Sequence, residues 1–425
     1  MIEKHNFHWQ RGFFYNFPIK RRLFSDLLNE IDSRQVISLI GLRRTGKTTI
    51  LKQLIDRLIT SRSTQREHIL FYSFDEEQPK IEHIIQEYET RLGKDLSETK
   101  SRRYIFFDEI QKLENWQNQI KYYYDNYKNI KFFISGSSSL FIKKRTQESL
   151  AGRIYEFTLF PLSFEEFLIF KNKEELIKKK KLLQDSIKKE FLAYQKRQFI
   201  EIVHESEERI GKYVETMVEK IVFQDIPRIF PIEYEELLLK ILRIIAYNPG
   251  MLSDYDSLSK EIGINRITLS NYFHYLEESF LVKKLYNFSK NMLTSEKKMK
   301  KFYLTTTSLY PFLNEQIDEA KLIENLVVIS VDAKFFWRTP QKYEVDIILY
   351  KKGKIVPIEV KYKENITNKD LKNLFRFCEK FNVEEALLLT KDEFSESKFE
   401  LKNGKNLKIQ FIPVWRLLLD RAGIN

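Results

Sequence analysis

The sequence predicts an α/β multidomain protein whose first part is built on a parallel sheet. Three observations predict this class: short apolar runs rich in β-branched and aromatic residues, stretches of helical spacing between them, and a second set of such runs near the C-terminus. Strands and helices that alternate in this way favour parallel strands covered on both faces. The chain has 425 residues. At about 150 residues per domain, we expect two to four domains.

Composition excludes several classes of protein. The single cysteine, Cys378, excludes a disulfide framework and a cysteine-built zinc ribbon, and the six histidines have no ligand-like spacing. No apolar run approaches the roughly 18 residues that span a bilayer, so we expect a cytoplasmic protein without a membrane partner. The net charge of +12 favours a polyanion such as nucleic acid, although a lysine-rich composition alone would also produce it.

The first 160 residues carry the alternating pattern after a polar and aromatic lead-in. Apolar runs predict buried strands at 35–41, 68–74, 104–109, 130–136 and 154–160, and helical spacing predicts helices at 47–59, 80–92 and 116–127. We interpret this part as one α/β core.

The remaining chain divides into segments that differ in charge content and in helical or strand-like spacing. Residues 161–232 are charge-rich with helical spacing, and 257–279 read as a helix, a turn and a second helix. Two strand-like runs at 280–288 and 300–304 would be the wing strands of a winged helix. Further strands are predicted at 334–338, 344–350, 354–362 and 384–390, with a helix at 367–380. We therefore predict four domains: a core at 1–160, a helical lid at 161–232, a winged helix at 233–305, and a second α/β unit at 306–425.

A phosphate-binding motif follows the first predicted strand. Residues 41–48 read GLRRTGKT, which fits G-x-x-x-x-G-K-[ST] at the start of a helix. In such a P-loop the backbone N–H groups approach the phosphates, Lys47 reaches the β and γ phosphates, and the Thr48 hydroxyl binds Mg²⁺. The predicted ATP-binding residues are Gly41, Arg43, Arg44, Thr45, Gly46, Lys47, Thr48 and Thr49.

Two acidic residues end the third predicted strand. Asp108 would hold Mg²⁺ through water, and Glu109 would polarise the attacking water. At the end of the fourth strand, Ser137 and, as second choice, Ser135 are candidates for contact with the γ phosphate, unless they only form a polar turn. Arg153 would stabilise the transferring phosphoryl group, in the same chain or from a neighbouring subunit, or would form a structural ion pair.

The order of these motifs resembles a known family. The P-loop, FFDEIQ (106–111), SGSSS (135–139), AGR (151–153) and FPLSFEEF (160–167) are similar to the AAA-type ATPases of archaea and bacteria. Those proteins carry a helical lid, a winged helix and a C-terminal restriction-endonuclease-like domain. The resemblance implies a P-loop NTPase fold and ATP hydrolysis by Lys47, Thr48, Asp108 and Glu109.

The second α/β unit contains the PD-(D/E)xK pattern. Asp346 lies on one predicted strand, and Glu359 and Lys361 lie on the next, where the period of two places them on one face. The two carboxylates would bind Mg²⁺ or Mn²⁺, and Lys361 would orient or deprotonate a water. By the resemblance, Glu324 adds a carboxylate from a preceding helix; Glu344 is a weaker candidate.

The predicted winged helix offers groups for DNA. Its second helix carries Arg266, Thr268, Ser270, Asn271 and His274, which can contact phosphates or bases. Residues 283–301 contain seven lysines and one glutamate, the densest basic stretch in the chain. We expect phosphate contact there, although the unit could instead serve only in packing between domains.

These observations lead to one main hypothesis and two alternatives. The main one is an ATPase that couples ATP hydrolysis to DNA binding and metal-dependent DNA cleavage, with homo-oligomer formation left open. The first alternative is an ATP-dependent binding or signalling scaffold with a silent nuclease-like domain. The second is a transporter-like protein or small-molecule kinase, which Glu109 and the absence of a spanning run disfavour.

Overall fold

The structure is a computed structural model that describes residues 1–137, 150–351, 353–402 and 404–420. Two compact units make up the chain. The first contains Met1–Pro161 and Glu278–Phe280, and the second contains Leu162–Glu277 and Leu281–Asn425. No helix in these described ranges is long and apolar enough to cross a membrane.

The first unit is built on a five-stranded parallel sheet. The strands are β1 (Val36–Ile40), β2 (Ile69–Ser73), β3 (Arg103–Asp108), β4 (Ile130–Gly136) and β5 (Ile154–Thr158), in the order β2-β3-β4-β1-β5. The helices are α1 (Leu23–Asn29), α2 (Lys47–Ser61), α3 (Ile81–Leu92) and α4 (Trp116–Asn126). Helices α1 and α2 contribute to one hydrophobic cluster with the sheet, and α3 and α4 to another. The predicted α/β core with a parallel sheet is confirmed.

The lead-in covers the outer edge of this sheet with side chains instead of a strand. Asn6 donates from Nδ2 to the carbonyl of Phe71 at 2.9 Å and accepts from its N–H at 2.7 Å. Trp9 donates from Nε1 to the carbonyl of Ile69 at 2.7 Å. Because β2 is an edge strand, these bonds satisfy backbone groups that would otherwise be open to another chain.

The second unit begins with helices. They are α5 (Phe164–Phe170), α6 (Glu174–Lys178), α7 (Gln184–Tyr194), α8 (Glu207–Lys220), α9 (Ile226–Ile229), α10 (Glu235–Tyr247), α11 (Tyr255–Ile262), α12 (Arg266–Glu278), α13 (Met292–Lys297), α14 (Tyr310–Leu313), α15 (Glu319–Ser330), α16 (Asn368–Phe381) and α17 (Val414–Leu419). The FPLSFEEF sequence starts α5 through a capping box, in which Ser163 and Glu166 bond each other's backbone N–H.

One nine-stranded sheet runs through the rest of the second unit. Its strands are β6 (Met251–Leu252), β7 (Val282–Asn287), β8 (Lys301–Leu304), β9 (Phe335–Arg338), β10 (Glu344–Lys351), β11 (Lys354–Lys361), β12 (Glu385–Thr390), β13 (Ser395–Glu400) and β14 (Asn406–Pro413). The order is β13-β14-β12-β11-β10-β9-β7-β8-β6. Strands β7 and β8 form the expected antiparallel pair, and β7 also pairs with β9 in parallel. The sheet therefore continues across residue 305, where the sequence pattern predicted a domain boundary.

The edge cover of β2 leads to a stability prediction. Asn6→Ala leaves the N–H and C=O of Phe71 without partners in a position where Asn6 is 2% exposed. We expect a local loss of about 2 kcal/mol, or about 30-fold faster amide exchange in β2. Hydrogen-exchange mass spectrometry measures the amide exchange rate of β2. Lys4→Ala removes only exposed ion pairs with Glu76 and Glu77 and should leave the exchange unchanged. Equal exchange in the two variants would contradict the role of Asn6.

Candidate active sites

The loop between β1 and α2 has a backbone that requires its two glycines. Gly41 has φ +150°, and a Cβ there would lie 2.3 Å from the carbonyl oxygen of Leu159. Gly46 has φ +97° and caps the N-terminus of α2. A side chain at Gly41 would push the loop away from β5, so the tight turn that presents the first N–H groups of α2 depends on this residue.

The side chains of the loop are held close to the backbone. Lys47 is 4% exposed and donates from Nζ to the carbonyls of Gly41 and Leu42, at 2.9 and 3.0 Å. Arg21, which sequence reasoning missed, donates to the carbonyl of Thr45 at 2.8 Å. Arg21 lies in the lead-in, where the sequence shows no recognisable motif. The remaining predicted side chains lie along the same turn: Arg43, Thr48 and Thr49 are half-buried, and Arg44 is exposed with φ +64°.

Asp108 lies at the carboxyl end of β3, beside the loop. Its Oδ2 accepts from the Thr48 hydroxyl at 2.7 Å, and its Oδ1 accepts from the Ser135 hydroxyl. Burial raises the pKa of Asp108, although both hydroxyls and Lys47 act in the opposite direction. The structure thus brings the two predicted magnesium-binding residues into direct contact.

Glu109 follows in a left-handed conformation, with φ +52°. Burial raises the pKa of its carboxyl group, and Lys47 lowers it. Gln111 donates from Nε2 to Glu109 at 2.5 Å and to the Ser137 hydroxyl at 2.9 Å. Gln111 was missed by the sequence reasoning, because a glutamine two residues after the acidic pair carries no pattern of its own.

The two candidate serines therefore have different positions. Ser135, the second choice, contacts Asp108, whereas Ser137, the first choice, is linked to Glu109 through Gln111. Ser135 also accepts from the N–H of Glu109 at 3.3 Å. The rest of the serine-rich turn, residues 138–140, lies outside the described residues.

Arg153 lies at the other end of the sheet. Its carbonyl accepts from the N–H of Val36, at the amino end of β1, whereas the phosphate-binding loop follows the carboxyl end. Five residues at about 3.3 Å each separate the two ends. Arg153 instead pairs with Asp125, from Nε at 2.8 Å. The expectation that it acts on phosphate in its own chain is therefore wrong; the trans role stays a prediction.

In the second unit, Asp346, Glu359 and Lys361 meet where β10 and β11 separate. The ladder between these strands ends at Ile347 and Ile358, and beyond it Asp346 accepts from the N–H of Val360 at 2.8 Å. Lys361 donates from Nζ to Oε1 of Glu359 at 2.6 Å. Glu359 is 3% exposed, and its Oε2 is buried without a hydrogen-bond partner. Such an atom requires a proton or a cation.

The electrostatics of this group agree with that requirement. Burial, with a further contribution from Asp346, raises the pKa of Glu359 to about 8. Burial lowers the pKa of Lys361, but Asp346 and Glu359 more than offset it, so the net shift is upward. The lysine stays charged, and the glutamate is the group that would release a proton when a cation binds.

Glu324 has partners that the sequence did not indicate. The Tyr303 hydroxyl donates to its Oε1 at 2.6 Å, and Nζ of Lys301 lies 3.7 Å from the same oxygen. Lys301 also pairs with Glu344, which Arg338 contacts as well. Burial, followed by the charge of Asp346, raises the pKa of Glu324 to about 7. Lys301 therefore belongs to this carboxylate site and not to a basic wing.

The predicted three-carboxylate metal site is not assembled. Among the residues that the structure describes, no group of three or more His, Cys, Asp or Glu side chains is arranged to hold a metal ion. Glu324 is engaged by Lys301 and Tyr303, so the predicted set of Glu324, Asp346 and Glu359 needs correction. Asp346 and Glu359 remain as the pair available to a cation.

Helix α12 presents the predicted nucleic-acid residues on one side. Arg266, Ser270, Asn271 and His274 are exposed, and Thr268 is half-buried. The lysines of 283–301 do not form one free patch, because Lys283 pairs with Asp332 and Lys284 pairs with Glu277. The expectation of phosphate contact is wrong for Lys301, which is 4% exposed, and stays a prediction for the other lysines.

Three segments of the chain match three different protein families. Residues 33–168 match the family described as "AAA domain". Residues 201–320 match a domain of unknown function (DUF8612), and residues 321–416 match another (DUF4143). The first match contains the glycine loop, Asp108 and both serines. Residues 33–168 therefore correspond to an AAA domain.

Relatives of the whole chain extend beyond this AAA domain. An uncharacterized protein of Methanocaldococcus jannaschii is 28% identical over 88% of this chain and 86% of its own length. An uncharacterized protein of Haemophilus influenzae is 23% identical over 91% of this chain and 95% of its own length. Among solved structures, the Aeropyrum pernix ORC1 protein in complex with DNA covers 74% of this chain and 97% of its own, with 14% identity and a TM-score of 0.33.

Proposed function

We propose that this protein hydrolyses ATP in its AAA domain and couples hydrolysis to DNA binding by the second unit. The observation that carries the ATPase part is the contact of Thr48 and Ser135 with the buried carboxylate of Asp108, beside Glu109. These groups come from three separate segments of the chain. Their convergence at the carboxyl ends of the strands is the arrangement used for nucleotides in open α/β sheets.

The residues fit Mg²⁺ and ATP on chemical grounds. Thr48 and Asp108 offer oxygen donors, and the buried carboxylate of Asp108 gains from a cation, since burial raises its pKa. When bound, Mg²⁺-ATP supplies the phosphoanhydride bond and a charge that balances Asp108. Lys47 and the N–H groups at the start of α2 bind phosphate oxygens. Glu109 accepts the proton of the attacking water, and Gln111 orients Glu109.

Variants of these residues separate binding from hydrolysis. Glu109→Gln should lower kcat for ATP at least about 100-fold while ATP still binds, because a general base contributes that much. Lys47→Ala should lose ATP binding itself. Phosphate release and binding of a fluorescent ATP analogue measure the two effects. Glu114→Gln changes an exposed carboxylate nearby and serves as the control. Hydrolysis at the wild-type rate in both site variants would refute the ATPase proposal.

DNA binding is proposed for the segment that contains α10 to α12 and the strands β6, β7 and β8. Three helices with a small antiparallel sheet and a turn at Gly263 support a winged helix. The exposed polar side of α12 is the surface that would enter a groove, and Lys290, also exposed, would contact phosphate.

This surface gives a salt-dependence prediction. DNA affinity should fall steeply with salt, and Arg266→Ala should reduce the slope of log affinity against log salt by about one, since one phosphate contact is lost. Ser270→Ala changes the same face without changing charge and should leave the slope unaltered. Fluorescence anisotropy on duplex DNA measures both. A flat salt dependence in the wild type would remove DNA from the proposal.

Metal-dependent DNA cleavage is a second candidate function, favoured by the unpartnered Oε2 of Glu359 beside Asp346 and Lys361. Asp346 and Glu359 would hold one Mg²⁺ or Mn²⁺, which supplies a Lewis acid for the scissile phosphate when bound. Lys361 would donate to the phosphate or orient the water. The competing scaffold function needs no such chemistry.

Cleavage is tested with purified protein, plasmid DNA and Mg²⁺ or Mn²⁺. The wild type should nick DNA, and Asp346→Ala should reduce the rate at least about 100-fold, because it removes half of the cation-binding pair. Glu364→Ala, an exposed carboxylate just beyond β11, is the matched control. If the wild type and Asp346→Ala give the same rate, the scaffold alternative is favoured and the nuclease-like domain is silent.

A homo-oligomer remains part of the proposal only through Arg153. Its side chain is one-third exposed and ion-paired with Asp125, so a neighbouring subunit would have to displace Asp125 to use it. Exposed ion pairs contribute little to stability, so Asp125 is readily displaced.

A further inference from the structure

The carboxylate site of the second unit contains positively charged side chains. It contains four carboxylates and three cations: Glu324, Glu344, Asp346, Glu359, Lys301, Lys361 and Arg338. With every group ionised, one negative charge remains. A single divalent cation would leave the site with one positive charge, whereas two would leave three. Buried positive charge of that size is costly, so the balance favours one ion.

Lys301 reaches the site from outside the predicted nuclease-like segment. It lies on β8, is 4% exposed, and places its ammonium group between Glu344, with which it pairs, and Glu324, at 3.7 Å. Its Nζ also lies 3.5 Å from the Tyr303 hydroxyl, which donates to Glu324. An ammonium group between two carboxylates supplies the positive charge that a metal ion beside them would supply.

The other half of the site, at Asp346 and Glu359, contains a carboxylate oxygen that is not paired. Glu359 uses one oxygen for Lys361, and its second oxygen is buried without a partner. Asp346 uses one oxygen for the N–H of Val360. An acceptor oxygen that is buried without a partner is therefore found at Glu359, beside Asp346, whereas Glu344 pairs with Lys301 and Arg338, and Glu324 accepts from Tyr303 with Lys301 at 3.7 Å.

We infer that Lys301 takes the place of a second metal ion, so that this site binds one divalent cation, at Asp346 and Glu359, and Glu324 is not a ligand. Tyr303 is a positioning residue that keeps Glu324 beside Lys301. The inference rests on the proposed cation site of the second unit, and it makes the strand β8 an integral part of that site.

Counting bound Mn²⁺ by electron paramagnetic resonance, without nucleotide, tests the inference. The wild type should bind one Mn²⁺ that Asp346→Asn loses. Lys301→Gln should bind one more ion than the wild type, because Glu324 then has no cation of the chain and Glu344 keeps only Arg338, whereas Lys301→Arg should keep the wild-type number. Circular dichroism checks that each variant is folded.

A second variant keeps the test decisive if Lys301→Gln does not fold. Glu324→Gln should change the Mn²⁺ affinity by less than about threefold, since a loss of tenfold or more is typical when a residue that supports the metal is removed. Two ions bound to the wild type would overturn the inference, as would a tenfold loss in Glu324→Gln or an unchanged ion count in folded Lys301→Gln. No Mn²⁺ bound to the wild type would overturn the cation site itself, and the cleavage function with it.

Discussion

A carboxylate buried at the end of a strand has to be compensated, and both candidate sites depend on this constraint. Removing an ionised carboxylate from water costs several kcal/mol. In the AAA domain, Asp108 is 2% exposed and accepts from two hydroxyl groups. Burial nevertheless raises its pKa, which means that hydrogen bonds alone do not balance the charge. The position is stable with a proton or a cation, and a site that exchanges one for the other is suited to Mg²⁺-nucleotide.

The second unit meets the same constraint differently. Its carboxylates are compensated largely by side chains of the chain, with Lys361 on Glu359, and Lys301 and Arg338 on Glu344. Hydroxyl donors leave the charge in place, whereas ammonium and guanidinium groups cancel it. Lys301 and Arg338 together lower the pKa of Glu344 despite its burial, whereas burial and the charge of Asp346 raise the pKa of Glu359 although Lys361 acts in the opposite direction. The location of uncompensated charge, more than the number of carboxylates, marks where a cation would bind.

Much of the fold could be predicted from sequence because its signals are local. Five apolar runs became the parallel strands of the first unit, and GLRRTGKT alone fixes a turn between β1 and α2. The misjudged residues depend on register between distant segments. Arg153 falls at the amino end of the sheet because Ile154 pairs with Val36. Lys301 looked like one of seven wing lysines, since nothing near it in the sequence reveals Glu324 and Glu344.

Pairing between distant strands also changes what counts as a domain. The parallel pair of β7 and β9 joins the predicted wing to the strands that carry Asp346 and Glu359. A fragment cut at residue 305 would lose Lys301 and Tyr303 and leave the half-buried Glu324 without the nearby ammonium group and the hydroxyl donor. The physical unit that supports the carboxylate site therefore includes β7 and β8, and a cation site studied without them would be a different site.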